Sequence, residues 1–480
     1  MFDIRALSLM RVCLAIVILL DLAIRSGDLE AFYANSGAVP LTMVFEHAWN
    51  KYFFSIHAIS GLWQFQLLLF VLAFFCAAML LIGYRTRLFT VLTWVLMVSL
   101  HNRNTLILQG GDDLLRMVLF WGMFMPWGAR YSCDALLSSK KYEHRTLCTV
   151  ATIAYLLQIC YIYTGSALLK GPEWSRDFTA MYYVYGLDQI AYPVTKHFFY
   201  HPSLLKVMTM IAYYFELLVP VLFFIPVAHQ WFRYLGVLLI IGFHTFNTFT
   251  LLIGMFPLIG IATSVGLLPA VALDHIEKLC SGLRSTVKDS FYNIGNMLRR
   301  VIAFRQPSYE LTTWQQNVKT AVLIFLTIFV FDWNFSNLSF VNTKLSDNLR
   351  FIGYTLRLDQ NWGMFAPGVF KDDGWFVYEA NTEDGRCFDL LCPDKEINYS
   401  KPEAVTAMFK NDRWRKFSEN LILQKNTFMR GYFTNYYRRI WNESNPDRKI
   451  NGLQLVYMSE FTKPGYARVA ASKEVLWKIN

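Results

Sequence analysis

Repeated apolar windows of membrane-spanning length constrain this chain more than any other feature of its sequence. They run over 6–24, 64–83, 88–108, 114–128, 147–169, 207–227, 234–253, 256–273 and 318–335. A helix needs roughly 20 mostly apolar residues to cross a bilayer core, and the windows read as about nine spans. Window 114–128 is short, and Gly254 and Pro257 interrupt the pattern between 234–253 and 256–273. Charged residues make up only 17% of the chain, against about 25% in soluble domains. Lipid must therefore solvate much of the apolar surface. The expected fold class is mainly α: a polytopic transmembrane helix bundle with a small C-terminal extramembrane α+β domain.

The 45 Lys and Arg against 35 Asp and Glu suit loop topology better than a nucleic-acid partner. With the N-terminus in the cytoplasm, inner segments carry Arg5, Arg85, Arg87, Arg130, Lys140, Lys141, Arg145 and Arg233. A basic linker over 274–317 adds Lys278, Arg284, Lys288, Arg299, Arg300 and Arg305. Outer loops hold Lys51, Lys170, Arg176, Lys196 and Lys206. This bias follows the positive-inside rule and requires an odd number of spans, with a turn at Gly254–Pro257 and the C-terminal region exported. Window 6–24 is long for a signal-peptide core.

The expected units are a helical body over 1–273, the linker 274–317, a final span at 318–335 and an exported domain over 342–480. In that domain, 375–379 and 453–458 alternate like strands, and 401–423 reads as helix. Asp384-Gly385 signals a hairpin over 375–391. Trp362, Phe365, Trp375 and Trp414 read as core or docking aromatics. The run Arg413-Trp414-Arg415-Lys416 and the pair Arg438-Arg439 read as a solvated helix face or a headgroup contact. Cys387 and Cys392 have the option of a disulfide in an oxidising compartment.

Two constellations carry chemistry. His101-Asn102-Arg103-Asn104, then Gly110-Gly111-Asp112-Asp113 and Arg116, is unusually polar for membrane depth. Ionisable groups there are costly and usually face a bundle interior, so an interfacial loop and a buried ion-pair network both stand as readings. His244 and Asn247 precede a helix break at Gly254-Met255-Phe256-Pro257, and a broken helix at membrane depth commonly lines a cavity. Glu216 lies centrally in an uncharged run and needs a partner, with Arg11, Arg116 or His244 available. Asp21 and Arg25 are spaced to pair along one helix. Lys170 ends an almost chargeless span. It either snorkels to the headgroups as a cation or is desolvated into a neutral base. No P-loop, H-E-x-x-H or G-x-S-x-G motif is present, and no metal site is expected.

Phe243-His244 with Ile253-Gly254-Met255-Phe256-Pro257 resembles the signature stretch of the vitamin K-dependent γ-carboxylase family. Those enzymes share a horizontally transferred transmembrane domain with many bacterial proteins. The stretch 101–116 resembles the bacterial members. So do Gly165-Ser166-Ala167-Leu168-Leu169-Lys170 with Trp174 and Thr179-Ala180-Met181-Tyr182-Tyr183, and Leu358-Asp359-Gln360-Asn361-Trp362-Gly363-Met364-Phe365-Ala366-Pro367. The resemblance covers roughly 1–273 and implies an integral protein of a bacterial cytoplasmic membrane. It implies oxygenation of reduced vitamin K or menaquinol to make a strong base, and then carboxylation of a glutamate. Lys170 is the nearest match to the family's starting base, one residue closer to Trp174 than in the enzymes.

On this reading Lys170, His244 and His101 are the catalytic candidates. Asn102, Arg103, Asp112, Asp113, Arg116, Trp174, Glu216, Asn247 and Met255 form the pocket or polar network. The implied partners are lipid, a quinone, and a peptide or protein substrate at the outer face. The alternative reading is a non-carboxylating quinone- or lipid-binding membrane scaffold that supports a partner. A transporter fits less well, because the sequence shows no inverted repeat.

Overall fold

Asp3 opens the first long helix, its side chain accepting from the Arg5 backbone N–H at 2.9 Å. Ile4–Ser26 then buries Leu7, Met10, Leu14, Ile18 and Leu22, while Ile16, Leu20 and Ile24 stay exposed on the opposite side. A helix that is apolar on both its packed and its open face needs lipid outside it. Trp63–Ile82 packs beside it and exposes Leu67, Leu68, Val71, Leu72 and Phe75. This computed structural model describes residues 1–138, 144–279, 289, 290, 292–297, 300, 311–342, 344–466 and 469–479. Lys140, Lys141, Arg284, Lys288, Arg299 and Arg305 of the basic linker and loops lie outside the described residues.

All nine apolar windows fall on helices, but fewer than nine meet the criteria for a straight span. Among the described residues, Ile4–Ser26, Trp63–Ile82, Val150–Leu169, Pro202–Leu222 and Thr313–Ser336 are long and apolar enough to cross a membrane. Phe256–Leu267 with Ala270–Leu279 makes a sixth if the bent pair is one span, but the two halves meet at 105°. Pro269 lies at that bend, where its missing N–H breaks the helical ladder. Gly110–Gly122 has only 13 residues, about 20 Å of helix. Thr86–Arg103 ends on the buried polar residues His101, Asn102 and Arg103. His229–Thr250 begins with His229, Gln230 and Arg233. The chain is a multi-span membrane protein; among the described residues five helices, or six if the bent pair counts as one, are long and apolar enough to cross a membrane.

The segments between helices sort onto two opposite ends of the bundle. At one end Arg5 pairs with Asp274 and Glu277 at 2.8 and 2.9 Å, Tyr131 reaches Glu277 at 2.7 Å, and Arg233 donates to the Met1 carbonyl at 2.7 Å. Strand β1, Phe2–Asp3, pairs there with β2, Thr146–Leu147. At the other end the C-terminal domain sits on the loops. Lys410 meets Asp28 at 2.6 Å, Asn420 donates to the Leu106 carbonyl at 2.7 Å, and Gln189 donates to the Gly374 carbonyl at 3.0 Å.

The domain is built on an antiparallel sheet, β3 Asp372–Thr382, β4 Cys387–Asp389, β5 Ile450–Phe461 and β6 Ser472–Ile479, in the order β4-β3-β5-β6. The Asp384-Gly385 hairpin forms as the dipeptide predicts, Gly385 taking φ 82° and Asn381 facing Cys387. The expected helix over 401–423 is shorter: Asn411 caps Asp412–Ile422 through the Arg413 and Trp414 N–H groups. Pro402 and a short 3-10 turn at Val405–Met408 precede that cap, so the helix begins only where its first N–H groups find an acceptor. A second helix, Phe428–Ser444, packs Phe433 against Tyr378 of the sheet. Trp362, Trp375 and Trp414 are buried, as expected of docking aromatics. Cys387 and Cys392 are exposed free thiols, so the disulfide option is not taken.

Candidate functional site

Two polar constellations sit at the domain end of the bundle. The first gathers on Ile4–Ser26, Thr86–Arg103 and Gly110–Gly122. Arg25 Nε donates to Asp21 at 2.7 Å, one helical turn away, and its Nη2 donates to Asp112 at 2.7 Å. His101 Nε2 lies 3.4 Å from Asp112, and Arg116 lies 3.5 Å from His101 Nδ1. Arg116 also pairs with Asp113 at 2.5 Å. Asp112 closes a capping box with Gln109, so one carboxylate both caps the helix and anchors the charges.

The remaining cation comes from outside the bundle. Arg413, at the first turn of Asp412–Ile422, donates to Asp112 at 2.5 and 2.8 Å and to Asp21 at 2.8 Å. Arg413, Trp414 and Arg415 are all buried, which replaces the solvated or headgroup-facing reading of this run. Two carboxylates thus meet two guanidinium groups in a buried interior. Nothing in local periodicity marks Arg413 as a plug, because its partners lie about 300 to 390 residues away in sequence.

Asn102 and Arg103 serve different ends. Asn102 donates to the Phe54 carbonyl at 2.8 Å and accepts from Arg357. Arg103 donates to the Tyr33 and Val39 carbonyls at 3.0 and 2.8 Å. It is linked to the ion network through Tyr33, whose hydroxyl accepts from Arg25 at 2.9 Å.

The second constellation surrounds Lys170, the residue that terminates Val150–Leu169. Its ammonium donates to Ser166 Oγ at 3.0 Å and to Glu216, and lies 4.5 Å from the centre of the Trp174 ring. The Lys170 side chain is only 3% exposed, which excludes snorkelling. Glu216 takes Lys170 as its partner, whereas Arg11 binds the Trp127 carbonyl at 3.2 Å and Arg116 binds Asp113. Trp174 is fixed by its own Nε1, which donates to the Phe365 carbonyl at 3.0 Å.

His244 sits on the neighbouring helix with Nε2 2.9 Å from the Tyr163 hydroxyl. Tyr163 is two turns before Lys170 on the same helix, and Phe215, next to Glu216, stacks 4.3 Å from Phe243. Gly260 makes room for the imidazole, since a Cβ there would lie 2.2 Å from His244 Nε2. Met255 is a buried packing residue before Phe256–Ser264, and half-buried Asn247 gives its carbonyl to Leu251 N–H at 2.9 Å. Neither joins the histidine. His101 belongs to the first constellation, and His244 to the second. Phe256 lies between them, its ring 5.4 Å from His244 and its backbone against Gly111.

No protein-family model matches the chain, and neither does any curated protein or solved structure. The site must be read from its own chemistry.

Among the described residues, two sets of metal-type ligands come within 4.8 Å of one another, Asp21–His101–Asp112 and Asp188–Asp373–Glu460. In the first, arginines already hold both carboxylates. In the second, Lys401 pairs with Asp188 and Glu460, and Asp373 accepts the Asp188 N–H at 2.5 Å. In the first set each carboxylate is matched by a guanidinium, and in the second Lys401 bridges two of the three carboxylates.

Proposed function

We propose that this multi-span membrane protein performs quinol- and oxygen-coupled proton abstraction of the γ-carboxylase type, with Lys170 and Glu216 handling the proton. The observation that carries this reading is the Lys170–Glu216 contact, buried beside Ser166 and Trp174 at the domain end of the bundle. In low dielectric, a contact ion pair competes with its neutral form, in which the proton has moved from Nζ to the carboxylate. Glu216 thereby gives Lys170 a route to the free amine. A free amine so placed can accept a proton from an acidic hydroxyl.

An aromatic surface of the kind that stacks a quinone ring supports this reading. Tyr163, Phe215 and Phe243 form a continuous aromatic wall, with ring centres 5.5 and 4.3 Å apart, beside the Lys170–Glu216 pair. A reduced naphthoquinone, vitamin K or menaquinol, would supply the hydroxyl proton and the oxygen-driven base strength. Trp174 and Ser166 hold the ammonium in place, and Tyr163 with His244 provides a second hydroxyl–imidazole donor pair. The substrate on this reading is a glutamate or other carbon acid, delivered as a peptide or protein at the outer face. The N-terminus is cytoplasmic and the C-terminal domain exported, in a bacterial cytoplasmic membrane.

The test is carbon dioxide fixation by the full chain in proteoliposomes, using radiolabelled bicarbonate, glutamate-containing peptides, oxygen and a vitamin K or menaquinone hydroquinone. Incorporation should depend on quinol and vanish in Lys170→Met and Lys170→Arg, since a guanidinium stays protonated. Full activity in Lys170→Arg overturns the assignment. The second reading, a quinone- or lipid-binding scaffold without carboxylation, draws on the Asp21–Arg25–Asp112–Arg413 network, which is saturated by its own members. Quinone binding by wild type with no incorporation selects it.

A further inference from the structure

A cavity of about 740 Å³ opens at the domain end of the bundle, away from Lys170. Its wall combines Trp49, Lys51 and Phe53 with Asp113, Arg357 and Asp359. The charges are not equally available. Arg357 Nε is held by Asp359 at 2.9 Å, and its guanidinium carbon lies 4.6 Å from the centre of the Phe53 ring. Arg116 occupies Oδ1 of Asp113 at 2.5 Å, which leaves Oδ2 without a hydrogen bond among the described residues. The Lys51 ammonium lies over the Tyr52 ring at 5.0 Å and has no carboxylate partner among the described residues. One anionic oxygen and one cation therefore remain for a ligand.

The mouth of the cavity says where that ligand comes from. The surrounding segment exposes Phe45, Tyr52, Ile59, Leu62 and Trp63. Aromatic and aliphatic side chains exposed beside a lysine at the end of membrane helices belong at headgroup depth, where ring and ammonium share an interface. A water-soluble metabolite would gain nothing from such a rim. An amphiphile would bury its chains against it.

We infer that this cavity binds the headgroup of a phospholipid carrying a primary ammonium, the ammonium at Asp113 and the phosphate at Lys51. A carboxylate oxygen accepts N–H groups, and a quaternary ammonium offers none. An anionic headgroup without an amine would bring its charge beside Asp113 with no donor for the oxygen that Arg116 leaves free. The phosphate needs a point cation at the rim, which Lys51 supplies.

The test uses the full chain in nanodiscs of matched acyl composition and measures co-purifying lipid by native mass spectrometry. Phosphatidylethanolamine should be retained over phosphatidylcholine and phosphatidylglycerol. Lys51→Glu, a change at an exposed side chain, should lower that retention about tenfold, the value of one charge-assisted contact. Asp113→Asn should erase the preference for ethanolamine over choline, and correct folding is checked by an unchanged elution profile. Equal retention of the three lipids by wild type, or unaltered retention in Lys51→Glu, overturns the inference. So does binding of soluble phosphoethanolamine as tight as that of the lipid, which would make the occupant a free headgroup.

Discussion

Arg413 of the C-terminal domain and Asp112 of the membrane bundle meet in a two-pronged ion pair, at 2.5 and 2.8 Å, with both side chains at most 4% exposed. The domain is therefore keyed into the bundle as well as resting on it. A buried pair of this kind contributes little net stability against an apolar isostere, but losing one partner strands the other.

Arg413→Ala should accordingly cost about 3–5 kcal/mol, because Asp112 and Asp21 would share Arg25 alone. Thermal unfolding of the detergent-solubilised full chain measures this. Limited proteolysis should cut the freed domain first. Arg413→Met with Asp112→Asn should recover part of the loss, since no lone charge remains. Equal unfolding temperatures for Arg413→Ala and wild type would show that the key does not hold the domain.

The Lys170–Glu216 pair makes a second cycle. Lys170→Met and Glu216→Leu should each destabilise the chain, by about 3 kcal/mol, and the double change should do so by less than either. Additive losses in the same unfolding assay would indicate that the two groups do not share a proton or a charge.

The hairpin at Asp384-Gly385, the membrane helices and the Asp21–Arg25 pair were legible because each rests on local spacing: a turn dipeptide, a run of apolar residues, an i,i+4 step. The partners of Glu216 and Asp112 were not. Lys170 lies 46 residues from Glu216 and Arg413 lies 301 from Asp112, and only the folded topology selects among the available cations. The helix over 401–423 was overextended for the same reason. Its apolar and charged periodicity holds, yet the Asn411 cap and the non-helical stretch before it decide the start. Apolar content alone does not reveal that Gly110–Gly122 is short or that the chain bends at Pro269 between Phe256–Leu267 and Ala270–Leu279.

Asp373 joins the domain to the bundle loop at Asp188 and is sensitive to pH. Burial, reinforced by the nearby Asp188 carboxylate, pushes its carboxyl up from 3.8 to about 8. The folded state then holds a proton that the unfolded chain has released, so its contribution is complete below about pH 4 and is lost as pH rises through about 8. Docking of the domain should loosen across that window on the alkaline side. Asp373→Asn should flatten the pH dependence of proteolytic release, and an unchanged profile in that variant would assign the effect elsewhere.

Gly260→Ala should misplace His244, since the new Cβ would meet the imidazole at 2.2 Å. Overpacking of this kind costs about 1–3 kcal/mol. Quinone affinity and unfolding temperature should fall together, because the ring is pressed between Tyr163 and Phe256.

The proposed orientation has a direct chemical readout. Cys387 and Cys392 are exposed on the C-terminal domain, and Cys148 is exposed beside β2, at the opposite end of the bundle. Buried thiols such as Cys76 and Cys133 should stay silent in the folded protein. A membrane-impermeant maleimide applied to intact cells should therefore modify Cys387 and Cys392 and spare Cys148 until the membrane is permeabilised. Single-cysteine variants separate the three signals by mass. Because the two faces carry opposite ends of the same helices, modification of Cys148 alone from outside would invert the whole chain, placing the domain and the Lys170–Glu216 end in the cytoplasm. The loop-charge bias would then be outweighed by some other determinant, and a peptide substrate would have to be sought on the inner side.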